Sequence, residues 1–171
     1  MLSAHIARIG RSGIIGVAAA LIVTMAGATD AAAQEIQTYP GSNCQADGST
    51  QDLTYSGVLV ANRGNGTQSA ICPIARKNGN QGWLAIAVFV RDRHSTANIT
   101  CVAQARDLTG AAGSGWSDTK STSGEGDQTL VFNAPGGAVP AFGPYAIVCS
   151  LPAMEEANQP SYIASYVIVE P

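Results

Sequence analysis

Apolar residues recur at every second position over much of this chain. In the run Leu84–Val90 (LAIAVFV), leucine, isoleucine and two valines fall on one face, and two alanines and Phe89 fall on the other. Successive side chains of a strand point to opposite faces, so a period of two indicates β-structure. Because both faces are apolar, this run predicts a central strand that is covered on both sides.

Similar runs predict the rest of an all-β domain. They are Leu53–Ala61, Thr67–Cys72, Asn98–Ala105, Gln128–Phe132, Tyr145–Leu151 and Ser161–Val169. About seven short strands joined by Gly, Pro and Asn turns favour a two-sheet antiparallel sandwich, with a small β-barrel as the alternative. The stretch Thr109–Asp127 is rich in Gly, Ser and Thr, and it predicts a long exposed loop.

The first 33 residues have the organisation of a secretory signal peptide. Arg8 and Arg11 precede an uncharged apolar run, Ile14–Ala28, and small residues follow at 31–33. We expect cleavage before Gln34, with cleavage after Ala28 as the alternative. A membrane anchor is disfavoured because the apolar run is shorter than the ~20 residues that span a bilayer. The prediction is a secreted or periplasmic product, with residues 34–171 as a single domain and no membrane span.

Four cysteines follow the predicted leader: Cys44, Cys72, Cys101 and Cys149. An even number in an oxidising compartment predicts two disulfides. A four-thiolate zinc site is disfavoured because no two cysteines have the close spacing of zinc ligands. Three connectivities are open. Cys101 and Cys149 both lie mid-strand on apolar faces, which favours the pairs 101–149 and 44–72.

Several motifs resemble those of uncharacterised small secreted bacterial proteins. They are Cys-Pro-Ile at 72–74, Cys101 inside a strand, Cys-Ser-Leu-Pro at 149–152 and the closing strand 162–170. The resemblance covers most of residues 44–170. It implies an exported, disulfide-bonded β-domain, and it brings no activity and no functional residue.

The charge balance argues against a nucleic-acid partner. The chain has 9 basic and 12 acidic residues; Arg8, Arg11 and Asp30 lie in the leader, which leaves 7 basic and 11 acidic residues. Binding to a phosphate backbone needs clustered Lys and Arg, which a mildly acidic domain does not supply.

No catalytic constellation is evident. His94 is the one histidine after the leader, and it lies in a polar turn, as does the carboxylate pair Glu155–Glu156. We therefore predict no catalytic residue, no metal site and no cofactor, and favour a protein that is not an enzyme. The alternative is a secreted hydrolase with a glycosidase-like pair of carboxylates. A pocket with two carboxylates, one of raised pKa, would favour that alternative.

Trp116 is the candidate ligand-binding residue. It stands alone among polar residues (GSGWSDT), where an exposed aromatic ring suggests a contact surface. An anchor that pins the segment to the domain is the alternative role. Trp83 begins an apolar strand and is predicted to lie in the core. The main hypothesis is a non-catalytic exported binding or surface module that contacts carbohydrate or a protein surface. A structural subunit that assembles through strand edges is a further hypothesis.

Overall fold

A computed structural model describes residues 34–48, 52–77, 83–106, 115–134 and 143–171. The predicted leader, 1–33, lies outside the described residues. Within them, the chain forms eleven strands and one short 3-10 turn, Gly41–Asn43. The strands are β1 (Glu35–Pro40), β2 (Gln45–Ala46), β3 (Leu53–Ser56), β4 (Leu59–Asn62), β5 (Gln68–Ile74), β6 (Ala85–Asp92), β7 (Thr100–Arg106), β8 (Gly115–Ser121), β9 (Gly126–Asn133), β10 (Tyr145–Leu151) and β11 (Tyr162–Glu170).

The strands form two antiparallel sheets. One sheet has the order β2-β5-β10-β7-β8. The other has the order β3-β4-β11-β6-β9, and β1 also pairs with β11. Strands β4 and β1 pair with successive parts of β11, along the edge opposite to β6. The predicted two-sheet antiparallel sandwich is confirmed.

The core forms where the inner faces of the two sheets meet. Every second residue of β6, β10 and β11 is buried, as the period of two predicts. The largest fully buried side chains include Tyr166, Phe132, Ile86, Ile99, Ile147, Leu151, Ile163 and Ile168. Trp83 is 2% exposed, which confirms its predicted place in the core.

Two local predictions were wrong. The outer face of β6 is not covered by the described residues, since Phe89 is 38% exposed. A two-sheet sandwich buries one face of each sheet, so the second apolar face of β6 has no layer above it. The segment Thr109–Asp127 is not one long loop, because it contains β8 and the start of β9. The strand count exceeds seven because β1, β2 and β8 carry too little apolar alternation to be recognised, and because Leu53–Ala61 is divided by a turn between β3 and β4.

Both disulfides lie within the five-stranded sheet. Cys101 and Cys149 are directly opposite each other on β7 and β10, and a disulfide joins them. Cys44 immediately precedes β2 and is bonded to Cys72 of the neighbouring strand β5. The predicted pairing is confirmed, and each bond connects adjacent strands of one sheet.

Two buried carboxylates connect the sheets, one at each end of β11. Asp92, at the end of β6, accepts hydrogen bonds from the backbone N–H groups of His94 and Ile99 and from the hydroxyls of Thr122 and Ser161. Ile99 and Thr122 belong to the ends of β7 and β8 in the other sheet. We call Asp92, Ile99, Thr122 and Ser161 the Asp92 cluster.

Glu170, at the end of β11, is also fully buried. It accepts hydrogen bonds from Gln37 Nε2 at 2.9 Å, Arg76 Nε at 3.2 Å and the backbone N–H of Lys77 at 3.1 Å. Arg76 and Lys77 follow β5 of the five-stranded sheet. These residues are called the Glu170 cluster below. No helix in the described part of the chain is long and apolar enough to cross a membrane.

Candidate ligand-binding site at Trp116

Trp116 lies on β8, the edge strand of the five-stranded sheet. Its register partner is Ala105 of β7, which is buried, so the indole points toward the inner side of the sheet. The ring is partly buried and meets Trp83 edge-to-face, with centroids 4.7 Å apart and an interplanar angle of 62°. Edge-to-face contact between aromatic rings is favourable and orients both of them. Trp116 is therefore an anchor for β8, and the contact also fixes the direction of its own ring.

A cavity of about 310 Å³ lies at this end of β8. The described residues that line it are Val102, Gln104, Ala105, Arg106, Gly115, Trp116 and Ser117. They belong to the facing ends of β7 and β8. Gly115 is required there: its φ is +139°, and an added Cβ would lie 2.1 Å from the carbonyl oxygen of Ala105. Glycine thus allows β8 to approach β7 closely at the cavity edge.

The cavity wall contains hydrogen-bonding side chains on the outer face of the sheet, since Gln104, Arg106 and Ser117 alternate with the inward-facing Ala105 and Trp116. Arg106 Nη2 donates to Gln104 Oε1 at 3.2 Å, and the Arg106 backbone N–H donates to the Pro144 carbonyl. A guanidinium has five N–H donors, so this contact leaves others to face the cavity. Gln104 keeps its amide N–H groups, and Ser117 adds a hydroxyl that can donate and accept. Such a wall suits a ligand with both apolar faces and polar edges.

His94, Ser95 and Glu155 come together, but not as a catalytic triad. The Ser95 hydroxyl donates to Glu155 Oε1 at 2.7 Å instead of to the imidazole. His94 Nδ1 accepts the backbone N–H of Ala97 at 3.0 Å, and it lies 3.4 Å from Glu155 Oε2. The cluster orders the turn after β6 and does not activate the serine.

The carboxylate alternative gains no support from this turn. The Ser95 backbone and hydroxyl hydrogen bonds, with a smaller contribution from His94, lower the pKa of Glu155. A general acid of a glycosidase needs the opposite shift. Glu156, its neighbour, accepts a hydrogen bond from Gln159 Nε2. Within the described segments, no three His, Cys, Asp or Glu side chains are grouped as metal ligands.

Sequence reasoning identified Trp116 but missed the polar residues around it. Gln104, Arg106 and Ser117 are ordinary residues of polar strand positions, and nothing in their spacing distinguishes them. The register of β7 with β8 brings these three residues together, on the face of the sheet opposite to the indole. The contact between Trp116 and Trp83, which lies 33 positions earlier, could not be predicted from the sequence either.

No family model and no curated protein matches the chain. Solved structures that align with it include three carbohydrate-binding modules. A low-affinity xylan-binding module, CBM86, from Roseburia intestinalis is 12% identical, with a TM-score of 0.49, over 78% of this chain and 94% of that chain. The xylan-binding module CBM15 is 17% identical, with a TM-score of 0.46, over 80% and 97%. A family 11 module of a Clostridium thermocellum cellulase is 13% identical, with a TM-score of 0.36, over 78% and 83%. At these values, no residue or ligand of those proteins is transferred to this chain.

Proposed function

We propose that this chain is an exported, non-catalytic module that binds carbohydrate in the cavity beside Trp116. In this proposal, residues 1–33 are a cleaved leader, and residues 34–171 are the mature domain. The observation that carries it is a cavity of about 310 Å³ at the paired ends of β7 and β8, which Gln104, Arg106 and Ser117 line with polar groups on the outer face of the sheet.

The chemistry of a sugar ring matches this wall. A pyranose has C–H groups on its two faces and hydroxyls around its edge. The hydroxyls accept from Arg106 and Gln104 and exchange hydrogen bonds with Ser117, and the C–H groups pack against Val102, which lies on the same face of β7 as Gln104.

None of the described residues that line the cavity is a carboxylate or a histidine, which supports binding without catalysis. Glycoside hydrolysis usually requires two carboxylates on either side of the scissile bond. The two disulfides agree with an exported product, because such bonds persist mainly in oxidising compartments.

The test uses protein purified after export with its disulfides oxidised, and its amino terminus is sequenced to check the cleavage site. Affinity electrophoresis through soluble xylan, galactomannan, mixed-linkage β-glucan and polygalacturonate identifies the polymer, and calorimetry measures affinity. We expect at least one polymer to retard the protein. Arg106→Ala and Gln104→Ala should each weaken binding about tenfold, because each removes a well-placed hydrogen bond between the ligand and a charged or polar side chain.

Trp116→Ala removes the contact with Trp83 that anchors β8, so binding at this cavity should be lost together with the local packing. The two polar variants keep that contact, so they separate loss of ligand from loss of packing. Thr119→Ala, two residues beyond the cavity on the same strand, is the matched control and should bind like the wild type. Wild-type affinity in all three cavity variants would overturn the proposal.

A further inference from the structure

A second depression lies on the opposite side of the sandwich, on the outer face of the six-stranded sheet. It forms where the pairing of β11 with β6 shifts between Ile163 and Ser165, which leaves Ala164 without a partner in the register. The depression measures about 250 Å³, and its described lining residues are Phe89, Val90, Asp127, Gln128, Thr129, Tyr162 and Ala164. Irregularities of this kind are over-represented beside functional sites, where they redirect side chains.

Two aromatic side chains line this depression. Phe89 and Tyr162 both face outward, on neighbouring strands and two pairs apart in the register. Diagonal neighbours of this kind lie within reach of each other when their side chains are long or aromatic. Phe89 is 38% exposed in a strand whose inward residues are almost completely buried. The pair therefore presents aromatic surface to solvent.

Polar groups stand beside the aromatic pair in one row across the sheet. Tyr162 of β11, Arg91 of β6 and Asp127 of β9 are successive register partners. Arg91 Nη1 donates to Asp127 Oδ2 at 3.1 Å, and the Asp127 side chain is 71% exposed. The opposite charges balance, so the row offers donors and acceptors without a net charge.

The guanidinium of Arg91 is only partly satisfied by the described residues. Its Nε is buried and has no hydrogen-bond partner among them. Buried polar groups without partners are rare in native proteins and call for an explanation. Among the described residues, Asp127 is the one hydrogen-bond partner of this guanidinium, and the side chain is 32% exposed, so its Nη groups have donors left for a ligand. Gln128 differs, because its amide is occupied by Ser123 and Gly124.

We propose that this depression is a second carbohydrate site, which takes one residue of a neutral sugar chain. The sugar ring packs on Phe89 and Tyr162, its hydroxyls accept from Arg91 and donate to Asp127, and Thr129 contributes a further hydroxyl. The balanced Arg91–Asp127 pair favours a neutral sugar over a uronic acid, which would place a third charge beside it. The site shares no residue with the Trp116 cavity and does not depend on the function proposed for it.

The first test is a titration of ¹⁵N-labelled exported protein followed by NMR. The probes are xylohexaose, cellohexaose and mannohexaose, with polygalacturonate oligomers as the charged comparison. A neutral probe should shift the amide resonances of residues 89, 127, 129 and 162 in a saturable way. A stronger response to the charged oligomer would overturn the neutral-sugar assignment, and no shift at these residues with any probe would overturn the site.

The second test uses variants. Phe89→Ala with Tyr162→Ala should reduce affinity at this site about tenfold or more, because each ring contributes contact area and stacking. Val131→Ala is the matched control: it is 43% exposed on the same face, outside the depression, and should bind like the wild type.

The Trp116→Ala protein separates the two proposals. If it still binds the neutral probe and the added Phe89→Ala and Tyr162→Ala changes abolish that binding, the second site stands. If Trp116→Ala alone abolishes all binding of a correctly folded protein, the second site is wrong and the Trp116 site is retained. Binding that is lost only in the Phe89 and Tyr162 variant would retain the second site and reject the first.

Discussion

The two sheets of this sandwich are stabilised by different chemistry. The five-stranded sheet contains both disulfides, and each joins adjacent strands of that sheet. The six-stranded sheet has no cysteine in its strands. It contributes Asp92 and Glu170, buried carboxylates that bind groups at the ends of the five-stranded sheet. Covalent bonds therefore hold strands within one sheet, whereas polar bonds and apolar packing hold the two sheets together.

This difference means that oxidation and polar burial are separate sources of stability. A disulfide acts mainly by restricting the unfolded chain, wherever in the fold it lies. A buried carboxylate stabilises the fold by accepting hydrogen bonds from nearby groups. Its loss therefore destabilises the part of the structure in which those groups lie. Removing a disulfide should therefore leave the stabilisation by the buried carboxylates intact, and removing a buried carboxylate should leave that by the disulfides intact.

The largest expected effect comes from replacing the disulfide between β7 and β10. Cys101→Ala with Cys149→Ala removes a bond that closes a sequence separation of 48 residues. In the chain-entropy model, this lowers the free energy of unfolding by about 4 kcal/mol. Urea denaturation measures it. Amides of β6 and β11 should remain among the most protected from hydrogen exchange, because the sheet interface is intact.

Wild-type protein with and without dithiothreitol is the companion experiment. Reduction should lower its urea midpoint further than the variant's, since it opens the bond between Cys44 and Cys72 as well. Equal midpoints with and without reductant would contradict this role of the disulfides. In the Cys101→Ala, Cys149→Ala variant, faster hydrogen exchange of the amides of β6 and β11 than of those of β7 and β10 would show that the effect of the disulfide is not confined to the five-stranded sheet.

The next effect concerns the Asp92 cluster. Asp92→Asn replaces one carboxylate oxygen by an NH₂ group, which cannot accept from Ile99 or Thr122. A buried group left without its partner costs about 1–3 kcal/mol, and hydrogen bonds to charged groups lie in the upper part of that range. We expect a loss of about 2–3 kcal/mol in the free energy of unfolding, measured by urea denaturation in oxidising buffer.

Asp118→Asn is the matched control. Asp118 forms an ion pair with Lys120 on the edge strand β8, with side chains 33% and 45% exposed. Surface ion pairs contribute about 0–1 kcal/mol, so this control should change stability little. An Asp92→Asn protein as stable as the control would show that the sheets do not depend on the buried carboxylate.

Much of the fold was predictable from the alternation of apolar residues. The strands β5, β6, β7, β9, β10 and β11 follow such runs, and their positions agree with the predicted ranges to within a few residues. Strand β8 was missed because only one of its inward positions, Trp116, is apolar. The other two, Asp118 and Lys120, form an ion pair at the edge of the sheet, and such charged residues do not give an apolar alternation. Strand β1 was missed for a similar reason, since Glu35 and Gln37 face the Glu170 cluster.

The two proposed binding surfaces were much less predictable than the strands. Trp116 could be selected because an indole among small polar residues is unusual. Phe89 and Tyr162 could not, because an aromatic residue in an apolar strand has the same pattern whether it is buried or exposed. What distinguishes them is the irregular pairing at Ala164, which depends on how β11 meets β6.

The smallest effect concerns the hydrogen bond between the centres of the two sheets. The Tyr166 hydroxyl, on β11, donates to the carbonyl of Pro73, on β5, at 2.7 Å. Tyr166→Phe should lower the free energy of unfolding by about 1 kcal/mol at pH 8.

Burial, with Tyr39 adding to it, raises the pKa of Tyr166 to about 12. The folded protein thus keeps a proton that the unfolded chain loses near pH 10, so this stability is present below pH 10 and declines toward pH 12. Urea denaturation at pH 8 and 11 should show a smaller alkaline loss for the variant than for the wild type. A residual loss from Tyr39 and Tyr145 is expected, because burial raises their pKa values too, and an identical loss in both proteins would exclude Tyr166 as its source.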